Sequence, residues 1–122
     1  MAKTLIVNCY VDSTRINELK AAIGKFSSTI VVPYTQIQAD TSTDGYEAVV
    51  ISGSESRITK PEDKAKYQDV SAFIENCKLP LMGICFGHQL LCSTYGAKTG
   101  TLPKPVIDQF EQVNVLQTGE IF

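Results

Sequence analysis

Residues Pro80 to Leu91 read PLMGICFGHQLL, an apolar run that ends on a cysteine with a glycine two residues to either side. Deprotonated cysteine is the strongest nucleophile among the side chains. Flanking glycines mark a backbone too tight for a side chain. Gly83-Ile84-Cys85-Phe86-Gly87 repeats the spacing of the strand-to-helix elbow that presents a nucleophile in G-x-S-x-G proteins. Such a turn would hold the Cys85 sulfur outward at the carboxyl end of a strand and at the start of a helix, whose positive end favours thiolate. The chemistry would be attack on a carbonyl, which places negative charge on oxygen and calls for fixed N–H donors. Phe86, the residue after the nucleophile, would supply one backbone N–H. The segment ISGSES, Ile51 to Ser56, follows another apolar run and is the candidate for the second, with Gly53 allowing close backbone approach. The same residues also fit a packed turn around an inert thiol.

The other cysteines, Cys9, Cys77 and Cys92, form no C-x-x-C pair with one another or with Cys85. That spacing argues against a zinc ribbon or a thioredoxin-type site. All three are expected as small buried hydrophobes, and all four thiols as free in a reducing, cytoplasmic compartment. The chain has 122 residues, 43% hydrophobic and 20% charged, with net charge −2, the balance of one ordinary globular domain. Nothing in that charge suggests nucleic acid or an anionic membrane surface as a partner. No apolar run approaches the roughly 20 residues that cross a bilayer. The opening MAKTLIVNCYV reads as a first strand and not as a cleaved leader.

The elements that must position Cys85 follow from periodicity. Thr4–Val11 is almost continuously apolar, as in a strand buried on both faces of a parallel sheet. Ser13 or Thr14 could cap a helix whose apolar stripe is Ile16, Leu19, Ile23 and Phe26. Thr29–Tyr34 and Tyr46–Ser52 read as the second and third strands, separated by a polar loop. Pro61 suits the first turn of a helix with Tyr67, Val70, Phe73, Ile74 and Cys77 on its inner face. Leu79–Ile84 is the fourth strand, and the helix after Cys85 ends at Gly96. Residues 97–105 read as a loop and 108–122 as a more exposed, antiparallel strand. Strands and helices in this alternation predict an α/β fold: three layers, a mostly parallel sheet with helices on both faces. One domain spans residues 1–122.

PLMGICFGHQLL resembles the nucleophile motif of the class I, triad-type glutamine amidotransferases, and VVISGSES their oxyanion strand and loop. The separation of about thirty residues between the two, and YGAKTG just beyond, fit the same family, with GMP synthase amidotransferase subunits nearest within it. The resemblance covers essentially the whole chain. It implies a flavodoxin-like fold of which 122 residues are about the first two thirds, its N-terminal portion. It also implies that Cys85 attacks the side-chain amide of glutamine, forms a γ-glutamyl thioester and releases ammonia to a synthetase partner on a separate chain. Gly53 and Phe86 would donate to the oxyanion, while Gly53, Ser54 and Gln89 would contact glutamine. The resemblance implies no cofactor and no metal.

The family's general base is a histidine downstream of the cysteine, followed two residues later by glutamate. His88 is the only histidine in this sequence, and it stands three residues after Cys85. It is expected to orient the helix start or to lie half-buried, not to act as that base. Ser54 also stands where the family often has a second glycine. Two other readings therefore stand beside the enzyme: a catalytically incomplete amidotransferase-like module for binding or regulation, and a cysteine-elbow protein of the DJ-1 type, acting in redox or glyoxal chemistry.

Overall fold

The computed structural model describes residues 2–97. Four strands, β1 (Lys3–Asn8), β2 (Ser28–Pro33), β3 (Ala48–Ile51) and β4 (Leu81–Gly83), form one sheet. Every pairing is parallel and the order is β2-β1-β3-β4. This is the doubly wound order of flavodoxin-like folds, in which the chain reverses its direction of travel across the sheet between β1 and β3. The helices are α1 (Asn17–Gly24), α2 (Pro61–Ala65), α3 (Gln68–Asn76) and α4 (Phe86–Thr94). The expected three-layer α/β architecture is therefore present. The antiparallel strand expected over 108–122, and all of the preceding loop but residue 97, lie outside the described residues.

Alternation along β1 divides the two faces. Leu5, Val7 and Cys9 pack with Val49 and Ile51 against Val70, Phe73 and Ile74 of α3 and Phe86 and Leu90 of α4. Thr4, Ile6 and Asn8 point to the opposite face, where Thr4 Oγ1 lies 2.8 Å from Ser27 Oγ and Asn8 Nδ2 donates to the Ser13 carbonyl. Right-handed crossovers that leave β1 and β3 in opposite directions must put their helices on opposite faces. The apolar strand residues are buried by one face or the other, which explains their near-continuous hydrophobic runs.

Several local expectations need correction. β1 ends at Asn8, three residues before the predicted Val11, because the chain turns there. Asn8 Oδ1 accepts from the Tyr10 N–H, the Cys9 N–H donates to Ser52 Oγ, and Val11 is 58% exposed. Asp12, not Ser13 or Thr14, caps the 3-10 turn that leads into α1. Phe26 is 85% exposed: it lies past the end of α1, where its N–H bonds the Ile23 carbonyl and the stripe is out of register. The expected helix from Pro61 to Cys77 is broken between α2 and α3 at Tyr67 (φ −110°, ψ 16°).

Candidate active site

Cys85 sits between β4 and α4 with φ 50° and ψ −109°, the one positive φ outside glycine among the described residues. Such a conformation costs on the order of 1–3 kcal/mol and persists only where the surroundings enforce it. The enforcement here is visible. Gly83 lies so close to the next turn that a Cβ there would be 2.5 Å from the His88 nitrogen and 2.6 Å from the Gly87 carbonyl carbon. A Cβ on Gly87 would press into the Ile51 carbonyl and lie 2.7 Å from the Ser52 oxygen. The elbow is thus clamped onto the end of β3, with the Ile84 N–H donating to the Ile51 carbonyl at 2.9 Å. The sequence pattern predicted this turn and the reason for both glycines.

Cys85 is exposed, whereas Phe86 and Gly53 are buried. The place a Cβ on Gly53 would occupy is 3.8 Å from Cys85 Cβ and 2.9 Å from Tyr10 Oη. The loop after β3 therefore runs directly beside the elbow. Among the described residues, the backbone N–H groups of Gly53, Ser54 and Phe86 have no hydrogen-bond partner. Unpaired N–H groups on the residue after the thiol and on the loop beside it are what an anionic oxygen would need.

Gln89 is exposed on the first turn of α4, its N–H bonded to the Cys85 carbonyl. Helical side chains lean toward the helix start, so Gln89, four residues on, shares the face of α4 above Cys85. The Ser54 hydroxyl, by contrast, is committed. Tyr67 Oη lies 2.8 Å from the Cys9 carbonyl and 2.9 Å from each of Ser54 Oγ and Ser56 Oγ. A carbonyl only accepts, so the single Tyr67 proton goes to Cys9 and both serines donate to Tyr67. The Ser54 backbone N–H stays unpaired among the described residues.

Two thiols differ from expectation. Cys9 is fully buried, and burial pushes it up to about 12 despite an opposing hydrogen bond from Ser52. Cys77 and Cys92 are only half-buried: Cys77 closes the end of α3 at the edge of the core, and the Cys92 sulfur lies beside the exposed His88 ring. His88 is exposed, not half-buried: at the fourth residue before Cys92 it shares a helical face with that sulfur, which lies 3.8 Å from His88 Nε2. No hydrogen bond joins His88 to Cys85 among the described residues.

The loops at the carboxyl ends of β1 and β3 are laced together. The Glu55 carboxylate accepts from the Val11 and Asp12 N–H groups, both at 2.9 Å, and stands 3.8 Å from Arg15 Nε. Partial burial pushes the Glu55 carboxyl up, but those N–H donors, its own N–H and Arg15 together hold it below the usual range. Sequence reasoning missed Tyr67, Tyr10 and Glu55. Tyr67 carries a core-stripe signal that hides its hydroxyl, and the other two have no local signal at all. A cavity of about 400 Å³ between α2, α3 and α4, lined by Lys64, Gln68 and Ser71, contains none of the site residues. No group of three or more His, Cys, Asp or Glu among the described residues is placed to hold a metal.

A doubly wound parallel sheet with a cysteine at a strained strand-to-helix elbow, beside a glycine loop with free N–H groups, defines a cysteine-elbow α/β protein. Within that class the family is specific: residues 5–120 match the family model of class I glutamine amidotransferases, and the chain belongs to that family. It is 38% identical over 60 residues to a glutamine-hydrolyzing GMP synthase subunit of Ignicoccus hospitalis, a stretch covering 49% of this chain and 30% of that protein. It is 35% identical over 74 residues to the pyocyanine-specific anthranilate synthase component 2 of Pseudomonas aeruginosa, covering 61% and 35%. A crystal structure from Thermoplasma acidophilum, described as a GMP synthase subunit, superposes with a TM-score of 0.60 at 27% identity, covering 80% of this chain and 47% of that one. The matched stretches thus span about a third of these two relatives and under half of the solved structure. No helix among the described residues is long and apolar enough to cross a membrane.

Proposed function

We propose that this chain carries the glutamine-cleaving half-site of a glutamine-dependent synthetase. The observation that carries the reading is Cys85 at positive φ, exposed beside the Gly53 loop, with the Gly53 and Phe86 N–H groups unpaired among the described residues, in a chain of this family. The Cys85 thiolate adds to the γ-carbonyl carbon of glutamine, and the carbonyl electron pair moves to oxygen, where the two N–H groups receive it. Collapse of that intermediate re-forms the carbonyl as a γ-glutamyl thioester and expels the amide nitrogen, which takes a proton to leave as ammonia. Water then attacks the thioester, giving glutamate and restoring the thiol. Gln89 and the Ser54 N–H hold the amino acid end of the substrate. Ammonia passes to a synthetase on another chain, in keeping with relatives named as one component of a synthase. The four free thiols suit a reducing, cytoplasmic setting.

Protonating the departing nitrogen needs an acid and deprotonating the attacking water needs a base, roles one titrating side chain fills in turn, and general acid–base assistance is worth roughly 10²- to 10⁴-fold. His88 is turned to Cys92, so on this reading the base comes from a histidine on another segment or another chain. The 122 residues alone should release ammonia from glutamine only at trace rates, while a γ-chloroketone analogue of glutamine should still alkylate Cys85. That labelling should saturate, be protected by glutamine and vanish in Cys85→Ala. Absence of saturable labelling would leave the binding-module reading standing. Robust turnover by these residues alone would give His88 the base's role.

A further inference from the structure

We infer that Tyr67 is a positioning residue that sets both walls of the oxyanion pocket, an inference that rests on the glutamine-cleaving reading above. Its two ends touch the loop and the helix start that carry the donors. The hydroxyl end binds Ser54 and Ser56, in the loop that follows Gly53, and ties them to the Cys9 carbonyl just past the end of β1. The ring end packs 4.6 Å from the Phe86 ring at 52°, and Phe86 carries the other donor. Tyr34 closes the far side, also at 4.6 Å.

Tyr67 is 0% exposed and its hydrogen-bonding capacity is full: one proton given, two lone pairs used. It is therefore not a surface tyrosine that happens to touch a loop. Burial pushes its ionisation upward, with the Ser54 and Ser56 bonds pulling the other way, so the hydroxyl stays protonated and keeps its donation to Cys9. The break between α2 and α3 falls at this residue, where the helix gives up its regular geometry. Phe86 alone would pack as well against phenylalanine or leucine. Only a hydroxyl at that depth also fixes the height of the serine loop relative to β1. The ring and the hydroxyl together hold the Gly53 and Phe86 N–H groups at one mutual distance.

The test compares two probes of Cys85 in the purified chain. The γ-chloroketone analogue of glutamine forms a C–S bond and loses chloride next to a carbonyl oxygen that leans on the donors. Iodoacetamide alkylates the same sulfur without any need for the pocket. Tyr67→Phe keeps the ring and removes the hydroxyl. Its maximal chloroketone rate should fall about tenfold, part of the roughly 10²- to 10³-fold that losing a whole oxyanion donor costs. Iodoacetamide labelling and the far-ultraviolet dichroism should stay as in the unmodified chain. An unchanged chloroketone rate, or a parallel fall with both probes, would overturn the inference. If Tyr67→Phe fails to fold, the Ser54→Ala/Ser56→Ala double variant leaves the tyrosine in place and should reproduce the selective loss. Should the unmodified chain show no saturable chloroketone labelling, the glutamine-cleaving reading itself fails and takes this inference with it. Saturable labelling that is indifferent to Tyr67 sinks the inference alone.

Discussion

Gly87→Ala tests whether the elbow is clamped by backbone contact. The added methyl would meet the Ile51 carbonyl group and the Ser52 oxygen, atoms of β3 and its first following residue. Neither can swing aside as a side chain would, because β3 is hydrogen-bonded to a strand on each side. Overpacking of this kind costs about 1–3 kcal/mol, and rigid backbone on the receiving side puts it at the upper end. Moving the Ile51 carbonyl also weakens its 2.9 Å bond from the Ile84 N–H, worth about 1 kcal/mol. Against this, alanine is favoured over glycine in a helix by up to about 1 kcal/mol. The net loss should be about 2–3 kcal/mol. With a urea slope of about 1–3 kcal/mol per molar, the unfolding midpoint should fall by about 1 M. Gly24→Ala is the control: nothing lies within 4 Å of its Cβ position, and φ is not positive. That variant should be neutral or gain up to about 1 kcal/mol. Urea denaturation followed by circular dichroism reads both. Equal midpoints for the two variants would refute the claim that Gly87 is required by contact with β3.

Three further outcomes follow from the titrating and reactive groups. At neutral pH, substoichiometric iodoacetamide should label Cys85 first and Cys9 last, since one is exposed and the other is buried with its ionisation pushed up to about 12; adducts mapped mainly to Cys9 would show the elbow assignment wrong. Above its ordinary value of 9.0 the Cys9 thiol ionises in the unfolded chain but stays protonated in the folded one. Stability should therefore be complete below that pH and fall by about 2 kcal/mol by about pH 10.5, with a shallower decline in Cys9→Ala; identical alkaline slopes would count against this. Glu55 is held below the usual carboxylate range, so its contribution is present above that range and disappears as pH falls through it. Glu55→Gln should flatten the acid limb of a stability–pH curve, and an unchanged limb would assign the acid sensitivity elsewhere.

The elbow was legible in five consecutive residues because its physics is local. A strand that turns into a helix with no loop needs glycine where the backbones touch, and Gly83 and Gly87 stand at those places. Parallel strands were legible too, since burial on both faces leaves runs such as LIV and VVI with no polar alternation. Even the placement of Gly53 beside Cys85 could be inferred, because loops at the carboxyl ends of neighbouring parallel strands must meet. Strand ends and helix breaks were another matter. Asn8 stops β1 by bonding Tyr10, and Cys9 leaves the ladder for Ser52, a partner 43 positions away. Phe26 kept the helical spacing but fell beyond the last turn, so its side chain went to solvent. Tyr67 shows the division most clearly. Its spacing from Val70 and Ile74 places it on the buried stripe, and nothing in that period distinguishes tyrosine from phenylalanine. Only folding brings its hydroxyl to a carbonyl 58 positions away and to two serines across the loop. A buried polar atom must find its partners in three dimensions, and sequence spacing carries no record of which ones it finds.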